Sequence, residues 1–223
     1  MPDWRAWLDG QLAGNPDAQP DASFLPALMR RRLDRFGRMA LYTAWTCAEG
    51  LDSIRLVFAS RHGALDRTVS LLSSLANQEG VSPALFSLSV HNSTAGLFSI
   101  ARGDRSAITA LAAGADTLCM SLLEGANLLA EGAGRVLVCY ADDAVPAPYR
   151  PFVAAASARL PFAISLLLVP AAEASVRCRL ARHAGAATQV PEEALLRFLV
   201  ENAAASILGV DQPWRLERGP DAG

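Results

Sequence analysis

Apolar residues recur at three- and four-residue intervals through Leu28, Leu33, Phe36, Met39, Ala40, Ala44 and Cys47, which predicts one helix over 26–49. Its other face carries Arg30, Arg31, Asp34, Arg35 and Arg38. The spacing then collapses into an unbroken run, IRLVFA at 54–59, the mark of a buried strand. Leu65, Val69, Leu72 and Leu75 or Ala76 restore helical periodicity over 65–77, on one side of the helix. Residues 81–90, punctuated by Pro83, read as extended, and 93–101 as a short helix of small residues. A strand end at 108–111 leads into a strong helix over 115–130, and RVLVCY at 135–140 predicts another strand before a Pro-rich loop at 145–151. Two further strands, 162–169 and 176–181, are joined by the turn PAAEAS. A last helix, 191–207, opens with Pro191 at its first position and Glu192 and Glu193 in its first turn. Trp4, Trp7, Leu8 and Leu12 give the 1–22 extension a helical spacing, and the polar stretch 211–223 reads as a loose tail.

Strands alternating with helices, and ending in two adjacent strands, predict an α/β layered fold. The expected arrangement is one domain over 1–223, with a mixed five-stranded sheet, mostly parallel, one antiparallel edge pair and helices on both faces. The segment TLCMSLLEGANLLA at 117–130 sharpens this expectation, because Glu124 is its only charge. A helix apolar nearly all round is buried on all sides, so a second layer must cover what the sheet does not.

Composition narrows the chemistry. Hydrophobic residues make up 52% of the 223 positions, yet the longest apolar run, 160–169, is interrupted by Pro161 and Ser165 and is about half a bilayer span. The N-terminus has charges where a signal peptide has its apolar region, so a soluble, cytoplasmic protein is expected. A net charge of −2, with no like-charge block beyond residues 30–32, gives nucleic-acid binding little support. All 20 basic residues are arginine, which removes a Walker A lysine, a Schiff base and a lysine general base. Cys47, Cys119, Cys139 and Cys178 are too widely spaced for a CxxC-type metal site and read as reduced thiols, mostly buried. No cofactor or metal is implied.

The stretch SAITALAAGAD at 106–116 has the form of a strand-to-helix turn, where helix N–H groups and a positive dipole end suit a nucleophile. Its apex carries no Cys, Ser, Lys or His. Cys119 lies two helical turns beyond, too deep for the dipole to activate. Just upstream, SPALFSLSVHNSTAGLFSI at 82–100 resembles the segment before the active site of elongating β-ketoacyl synthases, members of the thiolase fold. The likeness lies in Ser82-Pro83, Asn92 nine positions after that proline, Ala95-Gly96 and Ile100. TALAAG at 109–114 is similar to the family's T-A-C-x-x-G nucleophile turn, and GAGRVLVCYAD follows its next turn and strand. Upstream, RRRLDRFGRMALYTA and LVFAS fit its first helix and strand, so the resemblance covers about residues 26–180.

The resemblance implies the N-terminal half of a thiolase-like fold with Leu111 where the family has its acyl-accepting cysteine. The family's two histidines and lysine belong to a C-terminal half that this sequence does not contain. A non-catalytic, chain-length-factor-like subunit is therefore expected, forming a heterodimer with a full-length β-ketoacyl synthase, as in type II fatty-acid-like, polyketide or aryl-polyene pathways. Leu85 would reach the partner's acyl tunnel, and Phe86, Val90 and Asn92 would belong to the interface. Arg30, Arg31 and Arg35 would either dock an acidic acyl carrier protein or form a solvated helix face. Other readings stay open. His91 is a structural histidine or an acid/base group, and Asp142-Asp143 a turn pair or a metal site. SRHG at 60–63 resembles a phosphate-binding turn faintly. A stand-alone acyl-thioester hydrolase or transferase would pair Ser93 or Ser99 with His91. A homodimeric scaffold would cover the central helix with 191–207 or a second copy.

Overall fold

The unbroken apolar runs become strands buried on both faces, as residues without polar alternation must. In chain order the elements are α1 (Ala27–Arg30), α2 (Arg35–Cys47), β1 (Arg55–Ala59), α3 (Leu65–Ala76), α4 (Pro83–Ser87) and α5 (Ser93–Arg102). After β2 (Ile108–Leu111) come α6 (Thr117–Ala130), β3 (Val136–Asp142), β4 (Phe162–Leu168), β5 (Cys178–Arg182), α7 (Pro191–Val200), β6 (Ala205–Leu208) and β7 (Trp214–Arg218). The computed structural model describes Leu8 and residues 19–153, 161–185 and 190–219. Of the N-terminal pattern, Trp4, Trp7 and Leu12 lie outside those residues; Leu8 is buried, and its carbonyl accepts from Arg197.

The main sheet has the order β2-β1-β3-β4. β1 runs parallel to β2 and β3, and β4 pairs antiparallel with β3. Leu56, Phe58, Leu137 and Cys139 point to one face, where they meet Phe36, Leu41 and Ala44 of α2 and Phe98 of α5. Val57, Ala59, Val136 and Val138 point to the other, against Leu118, Cys119 and Leu122 of α6. Gly125 lets α6 settle on the sheet, since a Cβ there would stand 2.8 Å from Val138 Cγ2 and 2.6 Å from Leu168 Cδ1. The second layer demanded by the apolar α6 is α7 together with a three-stranded antiparallel sheet, β5-β7-β6. Ala194, Leu195, Phe198 and Leu208 are its buried contribution.

The layered α/β class holds, and five details differ from the sequence-based expectation. The helix over 26–49 is two: Asp34 takes an extended backbone and accepts from Gly37 N at 2.8 Å, which starts α2 afresh. Residues 83–87 are helical rather than extended, because Ser82 is an N-cap and Pro83 occupies the first turn, where its missing N–H costs nothing. The strands at 162–169 and 176–181 do not pair with each other: β4 joins β3, and β5 joins β7. The last helix ends at Val200, with Asn202 in a left-handed conformation (φ 56°), instead of running to Ile207. Much of the expected loose tail is β7, so one five-stranded sheet becomes one of four strands and one of three.

Candidate functional site

The β2–α6 turn is closed chemically. Leu111 is the last residue of β2, and a 3₁₀ turn (Gly114–Asp116) separates it from the start of α6. Thr117 Oγ1 donates to Gly114 O at 2.8 Å and accepts from Ala113 N at 2.9 Å. The Asp116 carboxylate is buried and accepts from the backbone N–H groups of Val210, Asp211 (3.1 Å) and Gln212 (2.8 Å). Gly209, at φ 90°, turns the chain so that these three N–H groups converge. Both side chains able to do chemistry at the turn are thus committed to structure. Cys119 is fully buried, and burial, with Asp116 beside it, pushes its thiol up to about 12. A thiol held that high is not a nucleophile near neutral pH.

Three motifs of the sequence meet at the carboxyl end of the main sheet. Asp142 Oδ1 accepts from Ser60 Oγ at 2.9 Å and His62 N at 3.0 Å, and its Oδ2 from Arg61 N at 3.2 Å. Ser60 Oγ in turn accepts from Gly63 N at 2.7 Å, which folds SRHG into a tight turn. His91 Nε2 lies 2.9 Å from Ser60 O and must be the protonated nitrogen there, since a carbonyl only accepts. The Tyr140 hydroxyl stands 2.7 Å from Asp142 Oδ2 and 2.6 Å from Glu192 Oε1, linking β3 to α7. Burial and the two carboxylates drive its pKa far up, so it remains a phenol. Asp142 therefore serves as a structural acceptor, and Asp143 pairs with Arg35 through Nε at 3.0 Å and Nη2 at 2.5 Å. Neither acid of the pair is free to hold a metal.

The serine–histidine arrangement does not form. Ser93 Oγ donates to Leu88 O at 3.0 Å and Ser99 Oγ donates to Asp104 O, while His91 is turned to Ser60. His183 follows β5, and its backbone N–H donates to Pro213 O.

The exposed chemistry lies on α3, α4 and the loop after them. α4 buries none of its five residues: Leu85 is 47% and Phe86 59% exposed, and Val90 and Asn92 beyond it are exposed too. α3 buries only Leu71 of twelve residues. Leu72 and Leu75, on the apolar side that periodicity gives this helix, are exposed, Leu75 by 58%. The two helices touch each other, and each exposes apolar side chains. β2 adds an edge, for it is the outermost strand of its sheet among the described residues. Sequence periodicity put Leu72 and Leu75 on one face, but periodicity does not say whose core such a face enters. Among the arginines, Arg31 is exposed and Arg30 partly so, but Arg35 is committed to Asp143.

Residues 4–211 match the family described as β-ketoacyl synthase, N-terminal domain. Among solved structures the chain is similar to one in the complex of a ketosynthase (ApeO) with its chain length factor (ApeC) from Xenorhabdus doucetiae. The identity is 26% and the TM-score 0.81, over 96% of this chain and 91% of that one. It is also similar to the ishigamide ketosynthase/chain length factor, at 17% identity and a TM-score of 0.59 over 79% of this chain and 62% of that one. A β-ketoacyl synthase from Burkholderia phymatum STM815 aligns at 14% identity and a TM-score of 0.58, over 92% and 63%. These last two likenesses concern the fold alone. No curated protein matched the chain. The family match spans most of the chain, and the chain belongs to the β-ketoacyl synthase N-terminal domain family.

Proposed function

We propose that the chain is a non-catalytic, chain-length-factor-type subunit that pairs with a separate full-length β-ketoacyl synthase and shapes its acyl tunnel. The observation that carries this reading is the apolar surface of α3 and α4. A five-residue helix with no buried residue gains nothing from its own fold, and short isolated helices are unstable in water. Its exposed Leu85 and Phe86, on a helix that touches α3 with its own exposed Leu72 and Leu75, are apolar area of the kind that marks an interaction site. The β2 edge offers unpaired backbone groups to a partner strand. A permanent interface of this kind buries more than roughly 2,000 Å². The similarity to a chain from a ketosynthase–chain length factor complex, close to this one in length, supports the same reading.

The mechanism is steric. Leu85, on the most exposed helix, closes the far end of the partner's acyl tunnel, while Phe86, Val90 and Asn92 hold the contact. The subunit itself carries no acyl group, because Leu111 occupies the nucleophile position of the resemblance and Asp116 and Thr117 are committed to the turn. Arg30 and Arg31 remain as the docking face for an acyl carrier protein. The pathway is of the fatty-acid, polyene or polyketide kind, in the cytoplasm. Among the described residues no helix is long and apolar enough to cross a membrane.

Co-expression with a ketosynthase from the same gene neighbourhood tests the pairing: a 1:1 complex on sizing is expected, and two separate peaks contradict it. Leu85→Trp should shorten the products of the pair; unchanged product length would sink the tunnel role. The open β2 edge also suits a second copy of this chain, a homodimer, which sizing of the protein alone distinguishes.

A further inference from the structure

Residues 65–90 leave the main sheet and come back to it without joining either apolar core. Among the described residues, none of them belongs to the cluster under α2 and α5 or to the one around α6. Leu71, the single buried residue of α3, stands outside both, and α4 buries nothing. Nor does either helix meet another element as closely as the two meet each other. Away from the ends of the segment, its polar tie to the other described residues is Arg67. That guanidinium donates to Asp34 and, at 2.5 Å, to Arg32 O.

Both ends of the segment, by contrast, are fastened at one point. The chain leaves β1 through Ser60, which is fully buried. Ser60 Oγ donates to Asp142 Oδ1 at 2.9 Å and accepts from Gly63 N at 2.7 Å, and Ser60 N donates to Leu111 O at 3.2 Å. The chain returns at His91, 31 positions on, whose Nε2–H donates to Ser60 O at 2.9 Å. The imidazole also stands edge-on to the Phe58 ring, with centroids 6.1 Å apart, and a Cβ on Gly63 would lie 3.4 Å from its Cδ2. Closing a loop of this length costs entropy that contacts at its neck must offset. A segment with almost no apolar burial has little else to keep it closed.

We infer that residues 65–90 form an arm that opens and closes as one unit on the rest of the molecule, with Ser60 and His91 as the clasp at its base. Opening breaks the clasp and both bonds of Arg67, releases Leu71 and leaves the two cores intact. Because α4 is too short to persist alone, opening also unwinds it. The inference deepens the partner-subunit reading and rests on it in one consequence. Leu72, Leu75, Leu85 and Phe86 ride on the arm, so a ketosynthase would capture its closed form.

Hydrogen–deuterium exchange of the isolated full chain, followed peptide by peptide, is the test. Amides of α3 and α4 should exchange together, at least tenfold faster than those of β1 and β3. His91→Ala should speed the arm about threefold to tenfold, as loss of one hydrogen bond does. Should that variant fail to fold, Arg67→Gln must give the same acceleration. Val138→Ala weakens the core that survives opening, so it should speed β1 and β3 and leave the rate of the arm unchanged. Three results would each overturn the inference: exchange of the arm at the rate of β1 and β3, equal acceleration of arm and sheet by Val138→Ala, or a gradient of rates from the helix ends that His91→Ala does not move. A ketosynthase that forms the 1:1 complex should slow exchange of the arm tenfold or more at ten times its Kd. A complex that leaves the arm's exchange unchanged would overturn capture of the closed form. Failure to bind would count against the partner reading alone, since the exchange of the isolated chain needs no partner.

Discussion

Asp116 spends its carboxylate on three main-chain N–H groups, and that commitment separates this turn from a reactive one. Removing the acceptor leaves three main-chain N–H groups unpaired at once, on residues that are themselves exposed. Asp116→Ala should therefore cost about 1–3 kcal/mol, read by urea denaturation, with Asp116→Asn in between. A loss below about 1 kcal/mol would mean that water replaces the carboxylate freely. His62 supports a second prediction at this scale. Burial holds its imidazole below the ordinary histidine range; Asp142 opposes that shift and Arg61 adds to it. The unfolded chain then binds a proton that the folded chain resists, so this stabilisation is complete above about pH 6.5 and is lost as pH falls toward the lower folded value. The slope of stability against pH just below 6.5 should flatten in His62→Gln; an unchanged slope would assign it to other groups.

Among the elements, α3 and α4 carry the sharpest prediction, because an exposed apolar side chain contributes to binding and little to folding. Leu72→Glu with Leu75→Glu should change the stability of the isolated chain by no more than about 0.5 kcal/mol per site. The same pair should abolish the 1:1 complex on sizing. If instead the double variant unfolds, the face packs within the chain after all. What the sequence could and could not convey is visible in these same elements. The 3.6-residue period located α3, and the unbroken runs located β1 and β3, because those signals are local. Pro83 misled, for the same residue that breaks a helix interior opens one after a serine cap. Strand partners were invisible as well: β5 pairs with β7, more than thirty residues on, through contacts that no short window records. The closed turn hid for that reason, since the donors to Asp116 lie 94 to 96 residues away.

At the scale of the whole molecule, the question is whether the C-terminal layer folds as one unit with the main sheet. α6 lies between them, with Leu118 and Cys119 in a cluster that runs from Val57 and Val138 to Phe198 and Leu208. Phe198 sits at the centre of that contact: fully buried, with the Arg218 guanidinium 4.8 Å from its ring and Arg218 Nη2 donating to its carbonyl at 2.8 Å. Truncating it opens a cavity at the point where α7, β7 and α6 meet. Phe198→Ala should cost about 3–5 kcal/mol. For a chain of this length that lowers the midpoint by about 10 °C. Because one apolar cluster spans both layers, the loss should appear as a single cooperative transition, coincident by far- and near-ultraviolet circular dichroism. A separate early transition, with the α2 face of the main sheet still intact, would make the three-stranded sheet an independent cover. In that case dye binding to the bared α6 should rise at the first step rather than with global unfolding, and the exposed α3–α4 surface should survive it.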